Sequence, residues 1–514
     1  MNSPNQGESL VFADVMRDWL RDAPWFAVSV IFHALIALLL ANMEWRVVTT
    51  NDTMICEITP GIDKVEPLRP EENDETIERK FDEVKPTYAE PVVNESVDPP
   101  SPFEEEAFDD EPLSFERDRF DNNFISLLGN GGGTPYAFRR AAGAAGRGGG
   151  PAVERAVRAG LDWLARHQHP EGFWDCDGFS AHCVDLRCAG KGQPLNDVGV
   201  TGLALLAFLG QGNTISSGEY RKTVKRGVRF LCSVQDPHDG CLTPREGTHW
   251  MYNHALGTLA LTEAYALSRW PLLKKPAQRA VDFVLDSRNE GMAWRYNNGA
   301  VDPAEQNDVS VTGWMIMCLA SARDASLCDF SESSHARRAM VEALAYIDAM
   351  TDSATGRTGY SQRGQGSSRE AGDEAIWPFA ETEAMTAVAM LGRVFAGHAT
   401  GDLESQERAL AAGAALLRQK PPRWDEEAGA IDFYYWYYGS YAMFQMAGSD
   451  WRAWKRAMEK SIVENQCRTG CLAGSWDPEK DPWGDNGGRV YSTALLTLCL
   501  EVFYRYENIL GARF

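Results

Sequence analysis

From Val153 to residue 514 the chain repeats one unit, an amphipathic helical segment followed by a second, more apolar segment. Gly202, Gly257 and Gly313 mark related positions in three of the apolar segments, at intervals of 55 and 56 residues. The six apolar segments cover residues 197–209, 250–267, 308–322, 379–395, 433–446 and 490–504. Such a period predicts helix hairpins that stack and bury their apolar faces against one another.

Six helix pairs of unequal polarity suit a closed ring, with the apolar helices inside and the amphipathic helices outside. A ring also removes the exposed terminal faces that an open solenoid has to cap. We therefore predict an all-α domain over residues 151–514, an α/α toroid of about six helix-hairpin repeats. Residues 355–373, rich in Gly, Ser and Arg, lengthen the fourth pair, and the sequence does not decide whether this loop is a lid.

The turn after the first helical segment carries a motif with Gln168, Gly172 and Trp174, and Gln466 with Trp476 repeats it loosely. It resembles the QW motif of the squalene-cyclase and protein-prenyltransferase superfamily, whose members are α/α toroids. The resemblance implies structural roles: the glutamines, with Gln235 as a further copy, cap neighbouring backbone, and the tryptophans stack between repeats. A fold of this kind hosts several functions, so the motif does not identify one.

The catalytic sequences of that superfamily are absent from this sequence. Terpene cyclases of this fold use an Asp-x-Asp-Asp acid, and the nearest sequence, residues 175–178 (DCDG), lacks the adjacent carboxylate and is interpreted as a loop. The stretch 432–438 resembles the prenyltransferase segment that carries a zinc-binding His, but the matching position is Tyr435. The Cys-Gly-Glu-Gln sequence of toroid thioester proteins is also absent.

Three acidic residues at the starts of apolar segments remain as catalytic candidates, namely Asp308, Glu383 and Asp432. General acid catalysis needs a carboxylic acid that its surroundings keep protonated. Acids at these positions also favour the helix dipole without any catalytic role. Whether the chain is an enzyme is therefore left open.

The apolar segments offer an aromatic lining for a cavity. Burial and cation–π attraction would let such a wall hold an apolar or cationic ligand. The alternative is that these rings only fill the core of the barrel. The predicted lining residues are Trp250, Tyr252, Trp314, Trp377, Tyr434, Tyr438 and Tyr491.

The chain has 11 cysteines, and several of them are close in sequence, so an oxidising compartment would allow disulfides. The alternative is that they are small buried hydrophobic residues. His182, Cys183 and Cys188 have side chains that suit zinc. Their short loop has no Cys-x-x-Cys pair, however, and we predict no metal site and no cofactor.

Residues 25–45 predict a single transmembrane helix, because an uncharged stretch of about 20 residues spans a bilayer. Arg17 and Arg21 before it and Arg46 after it favour a cytoplasmic N-terminus, residues 1–24, and a toroid outside the cytoplasm. We thus predict a single-pass protein of the cell inner membrane. A cleaved signal peptide is the alternative.

Ser29 and His33 lie on one face of that helix. The segment resembles the N-terminus of TonB-type energy transducers, in which a Ser-x-x-x-His pair couples the helix to a proton-driven motor. The resemblance implies an inner-membrane proton-channel complex as a partner. A hydrogen-bonded neutral His is the alternative.

Residues 46–150 form a predicted disordered linker, acidic and rich in Pro and Gly. Such a composition buries too little apolar surface to offset the entropy of ordering. The linker supplies much of the formal net charge of −23. This charge repels a phosphate backbone, so we predict no nucleic-acid binding.

Three functions fit these features. The first is a membrane-anchored extracytoplasmic toroid that binds an apolar ligand, an isoprenoid or lipid, or a protein partner. The second is a terpene-cyclase-like or prenyltransferase-like enzyme with an unrecognised acid, and the third is a TonB-like transducer. A cavity with a buried carboxylate among aromatic rings would favour the enzyme, and a filled barrel with an apolar groove would favour a scaffold.

Overall fold

The computed structural model describes residues 149–183, 188–247, 249–289, 293–296, 307–365, 367, 369–370 and 372–505. The predicted transmembrane segment with Ser29 and His33, and the linker up to residue 148, lie outside the described residues. Among the residues that are described, no helix combines the length and the apolar character needed to cross a bilayer.

Six helix pairs follow one another in the described residues. The first helices of the pairs are α1 (Pro151–Arg166), α3 (Arg221–Ser233), α5 (Pro271–Asp286), α7 (His335–Met350), α9 (Glu407–Leu417) and α11 (Gly448–Glu464). The second helices are α2 (Asp197–Gly210), α4 (Trp250–Ser268), α6 (Val309–Asp324), α8 (Ala384–Thr400), α10 (Phe433–Met446) and α12 (Gly484–Leu500). A short helix, α13 (Val502–Arg505), follows α12.

The two helices of each pair differ in how much surface they bury. In α2 every residue after Asp197 is buried, which is typical of a helix surrounded by protein. In α3 the buried residues Thr223, Val224, Gly227, Val228 and Leu231 recur at helical spacing on one face. The second helices therefore form an inner layer and the first helices an outer layer.

Contacts between helices close the inner layer into a ring. Each inner helix packs against the next one in the chain, from α2 through α4, α6, α8 and α10 to α12, and α12 packs against α2. The outer helix α1 lies against α12 and α11, so the first and last repeats meet at a seam. This arrangement confirms the predicted α/α toroid of six hairpins.

The QW-type glutamines link consecutive outer helices. Nε2 of Gln168 donates to the carbonyl oxygens of Gly172 in its own turn and Thr223 in α3, at 2.7 and 3.0 Å. Gln466 donates to Gly474 in its own turn and to Ala156 in α1, at 2.9 and 2.8 Å. The seam thus carries the same pair of hydrogen bonds as the junction between the first two repeats.

The third QW-type glutamine, Gln235, makes the same two kinds of hydrogen bond. Its Nε2 donates to the carbonyl oxygens of Gly240 in its own turn and Pro276 in α5, at 3.1 and 3.0 Å. The buried indoles of the motif bond within their own repeats: Nε1 of Trp174 donates to Leu164 and Nε1 of Trp476 donates to Ile462, each at 2.7 Å. These bonds fix each turn against the outer helix that precedes it.

Gly172 shows why the turn needs glycine. Its φ is +104°, in the left-handed region, and a Cβ there would collide with the Arg226 carbonyl of the next outer helix. The turn and the adjoining helix therefore approach more closely than any side chain allows.

Candidate functional site

A cavity of about 130 Å³ lies where the inner helices begin. All six inner helices contribute to its wall from their N-terminal portions, for example Val200 in α2, Leu256 in α4 and Tyr491 in α12. The inner helices therefore point their N-termini towards the same end of the ring. An engineered cavity of about 150 Å³ accepts a benzene ring, so this one has room for a group of similar size.

The wall differs from the predicted aromatic set at three positions. Tyr252, Trp314, Tyr434 and Tyr491 line the cavity, as the sequence predicted, whereas three others lie elsewhere. The positions outside the wall are Trp250, which packs on Phe283 of α5, Trp377, whose Nε1 donates to the Lys480 carbonyl, and Tyr438, which packs edge-on against Trp314. Helical spacing alone did not separate residues that face the cavity from those that face a neighbouring helix.

Several wall residues come from loops and were not predicted. They include Tyr296, His249, Trp483 and Arg369. Arg369 and Ser367 belong to the long fourth-repeat loop, which therefore covers part of the cavity. No periodicity in the sequence marks loop residues of this kind.

Hydroxyl groups form a short chain along one side of the wall. Oη of Tyr252 donates to Oγ of Ser310 at 2.7 Å, and Ser310 Oγ lies 2.7 Å from Oη of Tyr434. The buried Oη of Tyr491, which is also a wall residue, makes no hydrogen bond with any described group. Among the described wall residues, Tyr491 is therefore the one whose hydroxyl has no hydrogen-bond partner, and the buried Nε1 of Trp483 also has none.

Asp308 begins α6 directly behind this hydroxyl chain. Its Oδ1 accepts a hydrogen bond from the Val311 backbone at 2.7 Å, while its buried Oδ2 bonds to no described group. Burial raises the pKa of Asp308 to about 7, mainly because water no longer stabilises the charged form. The carboxyl lies near Tyr360, whose hydroxyl contacts that of the cavity residue Tyr296. An acid that is half protonated near neutral pH thus lies close to the cavity.

Asp432, the second acid candidate, is held in a buried ion pair. Its Oδ1 accepts from the Tyr435 backbone at 2.8 Å and caps α10, and its Oδ2 lies 2.9 Å from Nη2 of Arg369. Oγ1 of Thr382 also donates to Oδ2, at 2.9 Å. Both carboxylate oxygens of Asp432 are therefore engaged in contacts that hold α10 and the fourth-repeat loop together.

Asp481 was not predicted, although it lies beside Asp432. It accepts hydrogen bonds from the backbones of Phe433 and Trp483 at 2.6 and 3.0 Å. Burial, and then the negative charge of Asp432, raise the pKa of Asp481 well above its usual range. The burial of Asp481 beside Asp432 thus places two carboxyl groups close together at the start of α10.

Glu383, the remaining acid candidate, is buried and pairs with Arg357, whose Nε lies 3.1 Å from both carboxylate oxygens. Arg357 also belongs to the fourth-repeat loop. Two ion pairs, a partly exposed one through Arg357 and a buried one through Arg369, thus fasten this loop to the inner helices. Glu383 therefore has a structural role, because it holds the fourth-repeat loop through Arg357.

The first turn, residues 175–178, forms a loop, as its sequence indicated. Oδ1 of Asp175 accepts hydrogen bonds from the backbones of Asp177 and Gly178, at 3.2 and 2.5 Å. Asp carboxylates commonly stabilise turns in this way.

A second cluster of chemically active groups lies at the seam. Nε2 of His167 is 3.4 Å from Sγ of Cys188 and 3.6 Å from Sγ of Cys471, and Sγ of Cys183 is 2.6 Å from Sγ of Cys471. All four ligand atoms lie within 4.8 Å of one another. The sequence grouped Cys183 and Cys188 with His182, but His182 packs on His169 and is not part of the cluster.

Comparisons with known proteins give structural similarity only. No protein-family model and no curated protein sequence matches this chain. An apo type II terpene cyclase, MstE from Scytonema, covers 69% of this chain and 98% of its own at 12% identity and a TM-score of 0.41. A sugar epimerase from a ruminal bacterium covers 70% and 99% at 13% identity and a TM-score of 0.46.

Cellobiose 2-epimerase from Bacillus thermoamylovorans covers 69% of this chain and 98% of its own, at 14% identity and a TM-score of 0.47. The contacts among the inner helices, rather than these similarities, establish the toroid. Fold and site together define an α/α toroid with a cavity at the N-terminal end of its inner ring.

Proposed function

We propose that this chain is a membrane-anchored toroid that binds a small apolar ligand in the cavity of its inner ring. The observation that carries the proposal is the cavity itself, with apolar and aromatic walls and one hydroxyl, that of Tyr491, without a described partner. Buried hydroxyls normally have a hydrogen-bond partner, so an unsatisfied one on a residue of the cavity wall supports an occupant that supplies that partner.

The wall also indicates the chemistry of the occupant. Val200, Leu203 and Leu256 offer aliphatic surface, and Trp314 offers an aromatic face. The occupant we propose is apolar, carries one group able to hydrogen-bond to Tyr491, and places about one ring or a short branched chain inside. A small isoprenoid alcohol has these properties.

Calorimetric titration of the full-length chain in lipid nanodiscs with geraniol tests this proposal. Val200→Phe fills the cavity and should abolish saturable binding. The matched control is Val341→Phe, because Val341 is 48% exposed on α7 and away from the cavity. Equal binding by the two variants would show that geraniol partitions without using the cavity.

One observation favours a second function, that of a general-acid enzyme. Asp308 is buried, has one unbonded oxygen and has a pKa raised to about 7, so it holds a proton near neutral pH. The enzyme would add this proton to a carbon–carbon double bond and lose another proton from an adjacent carbon, giving an isomer or a ring. Tyr360 lies near Asp308, and its hydroxyl contacts that of the cavity residue Tyr296.

Incubation with geraniol in D₂O, followed by mass spectrometry of the products, tests the enzyme. Wild type should place deuterium in the carbon skeleton, and Asp308→Asn should lower the rate by about 100-fold or more. Asp329→Asn changes an exposed acid and serves as the control. A wild-type product without carbon-bound deuterium would exclude this chemistry for the substrate used.

The proposed location of the protein in the cell depends on residues 25–45. Their apolar sequence supports an inner-membrane anchor with the toroid outside the cytoplasm. Protease added to intact spheroplasts should then cleave the linker at 46–150.

Coupling to a proton channel is a separate proposal that depends on Ser29 and His33. His33→Asn should abolish activity if that coupling exists and should leave activity unchanged for a simple anchor.

A further inference from the structure

We propose that His167, Cys183, Cys188 and Cys471 bind one structural Zn²⁺ ion that joins the first repeat of the ring to the last. Three thiolates and an imidazole are a common ligand set for structural zinc. The set is complete, because four protein ligands leave no open position for water or substrate. The site is separate from the cavity and from the acids around it.

The distances suit tetrahedral coordination. With Zn–S of about 2.3 Å and Zn–N of about 2.0–2.1 Å, a tetrahedral sulfur and nitrogen lie about 3.6 Å apart. The observed separations from Nε2 of His167 are 3.4 Å to Cys188 and 3.6 Å to Cys471. Cys183 and Cys471 are closer, at 2.6 Å, and their sulfurs would separate by about 1 Å around a metal.

His167 is already oriented as a ligand. Its Nδ1 lies 2.8 Å from the Trp163 carbonyl oxygen, which only accepts hydrogen bonds, so Nδ1 carries the proton. Nε2 therefore presents its lone pair to the three sulfurs. The ring also stacks on Trp163, with centroids 4.1 Å apart, and this contact restricts its rotation. Metal-bound histidines usually have such an outer hydrogen bond.

The surroundings match the charge of the complex. His167, Cys183 and Cys188 are buried and Cys471 is partly buried. Zn²⁺ with three thiolates and a neutral imidazole carries one net negative charge. Arg166 and Arg489 both lie near enough to act electrostatically on His167, and their positive charges offset that of the complex.

The spacing along the chain is also compatible with zinc. Four residues separate Cys183 from Cys188, within the range found in zinc sites. Cys471 lies 288 residues after Cys183, in the turn before α12. The ion would therefore connect loops of the first and sixth repeats and close the ring across the seam.

A disulfide between Cys183 and Cys471 is the rival explanation, since it would join the same two repeats. It would use only two of the four groups. It would not account for the lone pair of His167 directed at the sulfurs, or for Cys188 as a third thiol beside it. An oxidising compartment would nevertheless favour it, so the experiment has to separate the two.

The full-length chain, purified in detergent without chelator, would be measured by elemental analysis and by native mass spectrometry. We expect one zinc per chain. Replacement by Co²⁺ should give the intense sulfur-to-cobalt absorption of thiolate ligands. Cys471→Ala removes the most accessible ligand and should lose the zinc, the cobalt absorption and several degrees of melting temperature.

Cys328→Ala is the matched control, because Cys328 is half-buried and lies away from the cluster. It should keep one zinc per chain. If Cys471→Ala does not fold, release of zinc from wild type by a thiol-blocking mercurial gives the same information. A metal-free wild type that cannot be loaded with Zn²⁺ after reduction, or a mass lower by two hydrogens with two thiols missing, would overturn the proposal.

Discussion

The cavity and the seam cluster are built from different parts of the chain. The cavity takes residues from all six inner helices, and most of its polar groups bond to one another or to backbone. The cluster takes its four residues from the end of α1 and from two turns of the first and last repeats. The cavity thus depends on the whole ring, whereas the cluster depends on the one junction that the chain itself does not connect.

The strongest test of this contrast is Arg369→Ala. It leaves the buried carboxylate of Asp432 without its cation, and breaking a buried ion pair typically costs about 3–5 kcal/mol. We expect a loss of this size in the free energy of unfolding and a loosened fourth-repeat loop, while the metal content stays the same. Urea denaturation measures the free energy of unfolding, and elemental analysis measures the metal content. A drop in bound zinc would show that cavity and seam are coupled.

The next largest effect concerns the pH dependence of stability. Burial raises the pKa of Asp308 from its ordinary 3.8 to about 7, so between these values the folded state holds more protons than the unfolded state. Stability should therefore fall as pH rises from about 4 to 7, by about 4 kcal/mol from this group.

Asp308→Asn should retain the helix cap and make that part of the profile less steep. Asp197, whose pKa burial raises to about 6, and Asp481, whose pKa is raised well above its usual range, keep slopes of the same sign. Urea midpoints at pH 5 and pH 8 would show the change, and Asp329→Asn should leave the profile as in wild type. A profile that Asp308→Asn does not alter would mean that this carboxyl is ionised in the fold.

A smaller effect compares the seam with an interior junction. Gln466→Ala and Gln235→Ala each remove two hydrogen bonds to backbone, one pair across the seam and one pair between consecutive repeats. Each should cost about 1–3 kcal/mol. If zinc reinforces the seam, a chelator should enlarge the effect of Gln466→Ala and leave that of Gln235→Ala unchanged. Equal responses to the chelator would argue against a seam-specific ion.

The smallest expected effect is that of Tyr491→Phe. Its buried hydroxyl has no described partner, so its removal breaks no hydrogen bond within the chain and should not lower the stability. Affinity for geraniol should fall by several-fold, because one hydrogen bond to the ligand is lost. Thermal unfolding and calorimetry separate the two results. A large loss of stability would mean that the hydroxyl has a structural partner.

The sequence predicted the ring because helical periodicity and the repeat interval depend on local patterns. The same patterns located Asp308 and Asp432, since acids at helix starts are recognisable by position. They did not reveal Arg369 or Tyr296, which reach the cavity from loops without periodicity.

The cluster was missed for a different reason. The sequence around His167 indicates only the end of an amphipathic helix. Cys471 is remote in sequence from the other proposed ligands. Only the closure of the ring brings them together, and no local signal reports a contact across 288 residues. The sequence consequently grouped the nearby His182, rather than His167, with Cys183 and Cys188.

The hydrogen bond between Gln466 and Ala156 joins residues 310 positions apart in the sequence. It has the same form as the bonds that Gln168 and Gln235 make to the next outer helix. During synthesis α2 is made early, and its last neighbour, α12, emerges only at the end. Until then one side of α2 has no helix of its own chain to cover it. Two neighbouring chains, such as the proposed membrane anchor would hold side by side, would each offer the other's α2 a fitting α12. Exchange of the sixth repeat between chains is therefore an assembly error to which this architecture is exposed.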